Sequence, residues 1–330
     1  MTQKTDMPLW REIPLGGSAE AEAALFVRFA EDMVNIQRRV ARKSGLQGQR
    51  TLHAKIIAGF SDARLAIDKD LPNDLAQGSF QPGASLSAKV RFSNASSFHR
   101  PDAIPDMRGI AVRLVLGEGQ SHDLLATSFP VSHARDAAQF VEVANIANGP
   151  SALILPRFLL AFGFKETLRI LGNVRAGSRT INSIATQSFW SRGAIVWGSA
   201  GLVRFSFQPT SGPCSISGPG DLGEELKAHL AKGDVTFRLK LQKFVDETRT
   251  PIEDGSVDWQ EKDAPSIGVA TLIIPRRSMD VRDALHSAGD VNALAFNPWN
   301  APSAFRPLGN LNRARGPVYT ASAKEWDGPV

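Results

Sequence analysis

Apolar residues recur at helical spacing near the N-terminus and alternate with polar residues in many shorter stretches further along the chain. After Ser18, which can cap a helix, the 3.6-residue period predicts a helix over residues 18–45 that Gly45 ends. Residues 1–17 contain Pro and Gly and are predicted to form an N-terminal arm. The apolar positions of the predicted helix are Leu25, Phe26, Phe29, Met33, Ile36 and Val40.

From residue 51 onward, short apolar runs separated by Gly, Pro, Asn and Ser predict β-strands. The clearest strand covers residues 85–93, where apolar and polar side chains alternate. Its apolar face consists of Leu86, Ala88, Val90 and Phe92, and its polar face of Ser87, Lys89, Arg91 and Ser93. Further strands are predicted over residues 52–60, 109–116, 202–208, 235–245 and 269–275, and helices over residues 137–147, 151–172 and 223–231.

The order of these elements favours an α+β protein built on an antiparallel β-barrel with surrounding helices. Strands and helices do not alternate regularly, which argues against a parallel sheet. No linker divides the chain, so residues 1–330 are predicted to form a single domain. The most apolar stretch, residues 152–164, is broken by Pro156 and Arg157, so we expect a buried helix there and no membrane span.

Composition narrows the functional classes. With 42% apolar and 22% charged residues, the chain has the make-up of a globular protein. The net charge is +5, but Lys and Arg are spread along the chain without a dense block, so nucleic acid is not an expected partner. The single cysteine, Cys214, excludes an internal disulfide and a cysteine-based metal cluster, and it fits a cytoplasmic location.

Several common site motifs are absent. The six histidines include no HExxH or HxH pair, which disfavours a mononuclear zinc site. The chain also lacks a GxGxxG after a strand, a P-loop lysine motif and a GxSxG elbow, so nucleotide-binding and serine-hydrolase functions are not expected.

Two strand segments carry polar residues that require an explanation. In QRTLHAK, residues 49–55, Arg50 precedes His53, which on a strand shares its face with Thr51 and Lys55. In VRFSNAS, residues 90–96, Arg91 and Ser93 lie on one face. Taken alone, a strand histidine is usually structural and a polar strand face is usually solvated.

A third segment holds the only tyrosine of the chain. In RARGPVY, residues 313–319, Arg315 precedes Tyr319 by one helical turn if the stretch is helical. The alternative interpretation is an ordinary aromatic anchor beside a surface charge.

Together these segments resemble the haem-dependent catalase superfamily, particularly its short members. RTLHAK is similar to the distal-histidine strand of that family, and VRFSNAS to the strand that follows it. PDMRGIAVRL and DLLATSFPVSHARD are similar to the next barrel strand and its exit, and FRPLGNLNRARGPVY to the proximal helix. The resemblance covers roughly residues 48–145 and 235–322.

The resemblance implies haem b held by Tyr319 as the axial ligand to iron. A tyrosine must lose its proton to serve as this ligand, and the adjacent guanidinium of Arg315 favours the charged phenolate. His53 would transfer the peroxide proton, with Ser93 orienting its ring. The expected contacts to the haem propionates come from Arg50 and Arg91. In addition, Phe140 matches a family aromatic residue that lines the distal pocket.

Three departures from the family pattern concern the site. Thr127 and Ser128 stand near the position where catalases carry an asparagine that helps to position peroxide, so their hydroxyls are assigned to the catalytic set. Pro317 lies between Arg315 and Tyr319 and removes a helical hydrogen bond. Trp326 stands where the family has a further propionate arginine.

The resemblance implies an enzyme that breaks down hydrogen peroxide through a ferryl intermediate. Because the asparagine is replaced, a peroxidase or an enzyme that converts fatty-acid hydroperoxides is an alternative. A haem carrier or sensor without catalytic activity and a barrel without a cofactor are further alternatives. The expected partner is a small peroxide, and the N-terminal arm permits contacts between copies in a homo-oligomer.

Overall fold

The computed structural model describes residues 10–45, 50–210, 212, 220–277 and 289–326. The strands in these ranges are β1 (Ile56–Ile67), β2 (Ser85–Asn94), β3 (Arg108–Gly117), β4 (Gln120–Thr127), β5 (Phe189–Ser191), β6 (Ile195–Val196), β7 (Leu202–Pro209), β8 (Val235–Lys243) and β9 (Ile267–Ile274). The helices are α1 (Ala19–Ser44), α2 (Ala137–Ala147), α3 (Ile154–Gly177), α4 (Leu222–Lys232) and α5 (Asn310–Glu325). Short 3-10 turns cover Leu15–Gly17, Ser151–Leu153, Gly198–Ala200 and Ser303–Phe305.

The nine described strands form one antiparallel sheet that closes on itself. Their order is β5-β4-β3-β2-β1-β9-β8-β7-β6, and β5 also pairs with β7. This pairing joins eight strands into a barrel and leaves β6 as an extension of β7. Closure removes the free sheet edges that would otherwise expose unpaired backbone groups. The predicted antiparallel barrel with helices around it is confirmed.

The barrel interior is aromatic, and β2 shows how the alternation builds it. Phe92 points inward, with its ring 6.0 Å from that of Phe189 and 6.0 Å from that of Phe237. Burying one such ring stabilises the fold by about 1.5–3 kcal/mol. Arg91 and Ser93 then lie on the outer face of the barrel, yet both are buried. The end of the polar face that carries Arg91 and Ser93 is therefore covered by other parts of the chain, whereas Ser87 at its start is exposed.

Helices α1 and α5 supply that cover. As predicted, Ser18 caps α1 by accepting a hydrogen bond from the Ala21 amide (3.1 Å), and Gly45 ends it with φ +69°. The two helices are tied by a polar group in which Thr51 Oγ1 donates to Gln37 Oε1 and lies 2.9 Å from Ser322 Oγ. The segment that contains His53 is thereby fixed between them.

A buried cation anchors the start of both helices. The Arg313 guanidinium pairs with carboxylates of Glu12, Glu22 and Glu253, each at 2.8 Å. These contacts attach the described part of the predicted arm to the rest of the fold. Residues 1–9 of that arm and Cys214 lie outside the described residues.

Two expectations about elements are wrong. The strand predicted over residues 52–60 begins only at Ile56, so His53 lies before it. The stretch over residues 152–164 is helical but not buried, since Leu160 is 89% exposed and Phe164 69% exposed in α3. Within the described ranges, no helix combines the length and apolar character needed to cross a membrane.

Candidate functional site

The main cavity lies between the outer face of β2–β4 and the helical layer formed by α1 and α5. It encloses about 1150 Å³, including the part that opens to solvent. The strands contribute alternate positions, which are Arg91, Ser93, Gly109, Ala111, Leu125 and Thr127. From the helices and neighbouring loops come Met33, Arg50, Leu52, His53, Arg192, Phe296, Arg315, Val318, Tyr319 and Trp326. The six predicted residues His53, Ser93, Arg50, Arg91, Arg315 and Tyr319 therefore meet at one cavity.

His53 is held by its backbone in an unusual conformation. Its φ is +55°, a region that residues other than glycine rarely adopt. Two tertiary hydrogen bonds stabilise this conformation: its amide donates to the Ala95 carbonyl (3.1 Å), and its carbonyl accepts from Arg91 Nη2 (2.8 Å). The positive φ breaks the strand alternation, so His53 does not share a strand face with Thr51 and Lys55. That prediction is wrong.

The imidazole ring is positioned by Ser93 and Gly109. His53 Nδ1 lies 3.0 Å from Ser93 Oγ, which leaves Nε2 as the nitrogen without a hydrogen-bond partner in the described part of the chain. Gly109 lies directly against the ring, since a Cβ added there would be 2.6 Å from both Cε1 and Nδ1 of His53. The ring can occupy this place only because residue 109 has no side chain.

The surroundings keep this imidazole neutral. Burial is the largest cause that lowers the pKa of His53, and the positive charges of Arg91 and Arg192 lower it further, to about 3. Arg315 and Arg50 act in the same direction. At neutral pH the ring therefore has a free lone pair and can accept a proton.

On the helical side, Arg315 and Tyr319 form the predicted pair. Arg315 Nε and Nη2 both donate to the Tyr319 hydroxyl oxygen, at 3.2 and 3.1 Å. Two guanidinium donors therefore converge on one phenol oxygen and fix its position. The helix α5 continues through Pro317, so that proline does not separate the two side chains.

The guanidinium of Arg315 is itself held by a buried amide. Asn312 Oδ1 accepts from Arg315 Nη1 (3.1 Å), and Asn312 Nδ2 donates to the Ala194 carbonyl (3.0 Å). Gly193 leaves room for this amide, because a Cβ there would lie 2.6 Å from Asn312 Nδ2. Asn312 thus connects α5 to the barrel and restricts where Arg315 can point.

The cavity is rich in cations. Its described lining includes four arginines and no carboxylate, an arrangement expected to bind an anion. Burial lowers the pKa of Arg50 to about 10 and that of Arg192 to about 9, and it also lowers the pKa of Arg91. The Arg50 guanidinium lies 4.3 Å from the centre of the Trp326 ring. Trp326 therefore helps to position Arg50 at the edge of the cavity.

These features fit a haem group. An apolar macrocycle suits the aliphatic and aromatic part of the lining, and two propionates would neutralise part of the arginine charge. The Tyr319 phenol is a known type of axial iron ligand. By contrast, His, Cys, Asp and Glu side chains of the described residues form no group of three that could hold a metal ion on their own.

Three further predicted residues differ in position. Thr127 lines the cavity, and its hydroxyl donates to the Phe129 carbonyl at 3.4 Å. Ser128 does not line the cavity. Its hydroxyl accepts a hydrogen bond from the Arg108 amide at 2.9 Å. Phe140 lies on α2, where its ring centre is 5.0 Å from that of His133, and it is not one of the residues that line the cavity.

Sequence reasoning missed two residues of the site. Gly109 falls inside a predicted strand, and glycine in a strand often marks a close approach, so a signal was present. Arg192 follows β5 and is buried at the cavity, where its Nη1 donates to the Val131 carbonyl. Nothing in its local sequence distinguishes it from a surface arginine.

Comparisons with known proteins agree with this fold. The chain is 27% identical over 296 residues to the catalase-related peroxidase of Mycolicibacterium paratuberculosis (strain ATCC BAA-968 / K-10). The match covers 84% of this chain and 88% of the relative. A fungal catalase structure matches 85% of this chain with a TM-score of 0.68 at 20% identity, over 60% of its own length. The chain is thus similar in sequence to a catalase-related peroxidase and in fold to a catalase. No family model matches it.

The catalases that this chain resembles extend well beyond the matched region. Catalase isozyme 2 of Cucurbita pepo is 26% identical over 280 residues, which is 75% of this chain and 54% of the plant protein. A bacterial catalase structure has a TM-score of 0.63 at 18% identity and covers 98% of this chain and 63% of its own. The chain therefore spans about half the length of the plant catalase, whereas it matches the length of the peroxidase closely.

Proposed function

We propose that this protein is a haem-dependent, peroxide-processing oxidoreductase of the catalase type. The observation that carries the proposal is one cavity lined by the His53–Ser93 pair, the Arg315–Tyr319 pair and an excess of arginines. In this proposal, residues 1–330 form one domain that binds haem b in the cytoplasm. When bound, haem would supply the iron to which a peroxide oxygen binds and the electrons that cleave the O–O bond.

Tyr319 would hold the iron through its phenolate oxygen. Arg315 would hold that oxygen in place through its two donors, while Asn312 restricts the guanidinium. Arg50 and Arg91 would receive the propionates. The guanidinium of Arg91 also donates to the His53 carbonyl, so it connects the predicted propionate end of the site to the catalytic histidine.

His53 would move the proton. Nε2 would accept a proton from one peroxide oxygen and return it to the other, which would leave as water or as an alcohol. This transfer requires a neutral ring with a fixed orientation. The low pKa and the Ser93 contact provide both conditions.

A peroxidase or an organic-hydroperoxide-converting enzyme is the second candidate. Thr127 occupies the region where catalases have an asparagine, and its hydroxyl is already directed at the Phe129 carbonyl. A second hydrogen peroxide molecule would then be held less firmly at this position. Reduction by another electron donor would be favoured in its place. The relative whose length this chain matches is itself named a peroxidase.

The test begins with haem reconstitution. We expect stoichiometric binding and a high-spin ferric spectrum with phenolate character, which Tyr319→Phe should remove without ambiguity because the chain has no other tyrosine. Absence of stoichiometric binding, or an unchanged spectrum in the variant, would overturn the assignment of the cofactor site.

Kinetics then separate the enzyme from a carrier. His53→Ala should retain haem and lose peroxide turnover by about 100-fold or more, whereas the exposed His99→Ala should behave as the wild type. Hydrogen peroxide alone and cumene hydroperoxide with an added reductant distinguish the catalase from the peroxidase candidate. If neither peroxide is consumed faster than by free haem, both enzymatic proposals fail.

A further inference from the structure

The outward side of α3 is a large apolar surface. Leu160 and Phe164 are 89% and 69% exposed, and Leu155 and Leu168 are each 55% exposed. The helix is anchored from its other side, where Phe158 and the residues that follow pack on α2. Contiguous exposed apolar patches of this kind usually mark an interaction surface.

The exposed apolar residues of α3 lie on both sides of a kink in the helix. Gly163, with φ +72°, interrupts the helix near its middle. After this kink, Phe164, Leu168 and Leu171 follow at i, i+4 and i+7 and therefore share one face. Arg175 follows them at i+11, so the apolar stripe ends in a cation.

The charges around this surface are positive. Arg157, Lys165 and Arg175 are exposed and have no ion-pair partner among the described residues. The one carboxylate of α3, Glu166, instead pairs with Arg135 (2.9 Å) and Arg169 (2.6 Å). The free charge that surrounds the apolar stripe is therefore cationic.

We propose that the outward face of α3 docks this protein on an anionic membrane surface. The Leu and Phe side chains would enter the boundary between headgroups and acyl chains, and the three free cations would contact lipid phosphates. A symmetric contact between two copies of this face is disfavoured, because each copy would bring the same three unpaired cations to the interface while Glu166, the one carboxylate of α3, is already paired. This inference goes beyond the proposed function and does not depend on haem binding.

Vesicle sedimentation with the full chain tests the proposal. We expect binding to vesicles of phosphatidylglycerol and phosphatidylcholine, weakened by salt, and little binding to vesicles of phosphatidylcholine alone. The double variant Leu160→Ser/Phe164→Ser should lower the partition coefficient roughly tenfold or more. The triple variant Arg157→Gln/Lys165→Gln/Arg175→Gln should lower it on the order of 100-fold on the anionic vesicles.

The control is Val27→Ser, which replaces another exposed apolar residue (57%) on α1 and should leave binding unchanged. Circular dichroism and denaturant unfolding confirm that each variant is folded. Absence of binding to the anionic vesicles, or equal binding by the double variant and the control, would overturn the proposal. It is also overturned if sedimentation velocity shows a wild-type dimer that the double variant dissociates, because the face is then an interface between copies.

Discussion

The contact between Gly109 and His53 leads to a quantitative prediction. A Cβ added by Gly109→Ala would lie 2.6 Å from Cε1 and Nδ1 of the ring and 3.1 Å from Ser93 Oγ. Ordinary contacts between such atoms are about 3.5–4.0 Å, so the ring must shift by about 1 Å. A displacement of this size in a catalytic group costs about 100-fold in rate. We therefore expect the second-order rate constant for peroxide with the haem-loaded protein to fall by about two orders of magnitude.

Stopped-flow absorption spectroscopy of the haem-loaded variant measures this rate constant directly. Overpacking should also lower the free energy of unfolding by about 1–3 kcal/mol, which denaturant titration reports. The matched control is Gly233→Ala, at an extended position (φ −176°) where a Cβ meets nothing within 4 Å. A folded, haem-loaded Gly109→Ala protein that reacts within about twofold of the wild type would refute the positional role of the glycine.

Two further predictions concern stability. Asn312→Ala should lower the free energy of unfolding by about 1–3 kcal/mol, because it leaves Arg315 Nη1 without its partner and removes one of the two hydrogen bonds to the Ala194 carbonyl, which still accepts from the Leu308 amide; a loss below about 0.5 kcal/mol in denaturant unfolding would contradict this. Burial lowers the pKa of His122 to about 3, whereas an unfolded histidine titrates near 6.5. The unfolded chain thus binds the extra proton, so the contribution of this group is complete above pH 6.5 and decreases as the pH falls. Between pH 7.5 and 5, protonation of His122 in the unfolded chain lowers the free energy of unfolding by about 2 kcal/mol. His122→Phe, which keeps a ring against Phe305, should reduce the pH-dependent loss by that amount, and an unchanged pH profile would show the prediction to be wrong.

Local patterns were sufficient for the helices and for much of the barrel. Helix α2 was predicted with its observed bounds, and α1 was located by its apolar period, its serine cap and its final glycine. These features act within one or two turns of the chain, so they are visible in the sequence. The alternation in β2 likewise indicated a polar face that required an explanation.

Patterns failed where distant parts of the chain decide the conformation. Strand β4 was not predicted, because it carries the buried polar residues His122 and Asp123. Asp123 is accommodated by Arg113, whose Nη2 lies 2.7 Å from the carboxylate. The apolar sequence of α3 predicted burial, yet no described part of the fold covers its outer side. Apolar composition alone does not specify whether a face meets the same chain or something else.

In the candidate site too, local sequence brings some residues together, and only the tertiary structure brings the others to them. The sequence by itself determined the Arg315–Tyr319 pair, because four residues of helix bring the two side chains together. Only the tertiary structure placed this pair at one cavity with His53, excluded Ser128 and Phe140 from that cavity, and added Arg192. The positive φ of His53 also depends on hydrogen bonds from residues that are remote in sequence. Charge and strain are stabilised here by barrel closure, which joins segments that local propensity cannot connect.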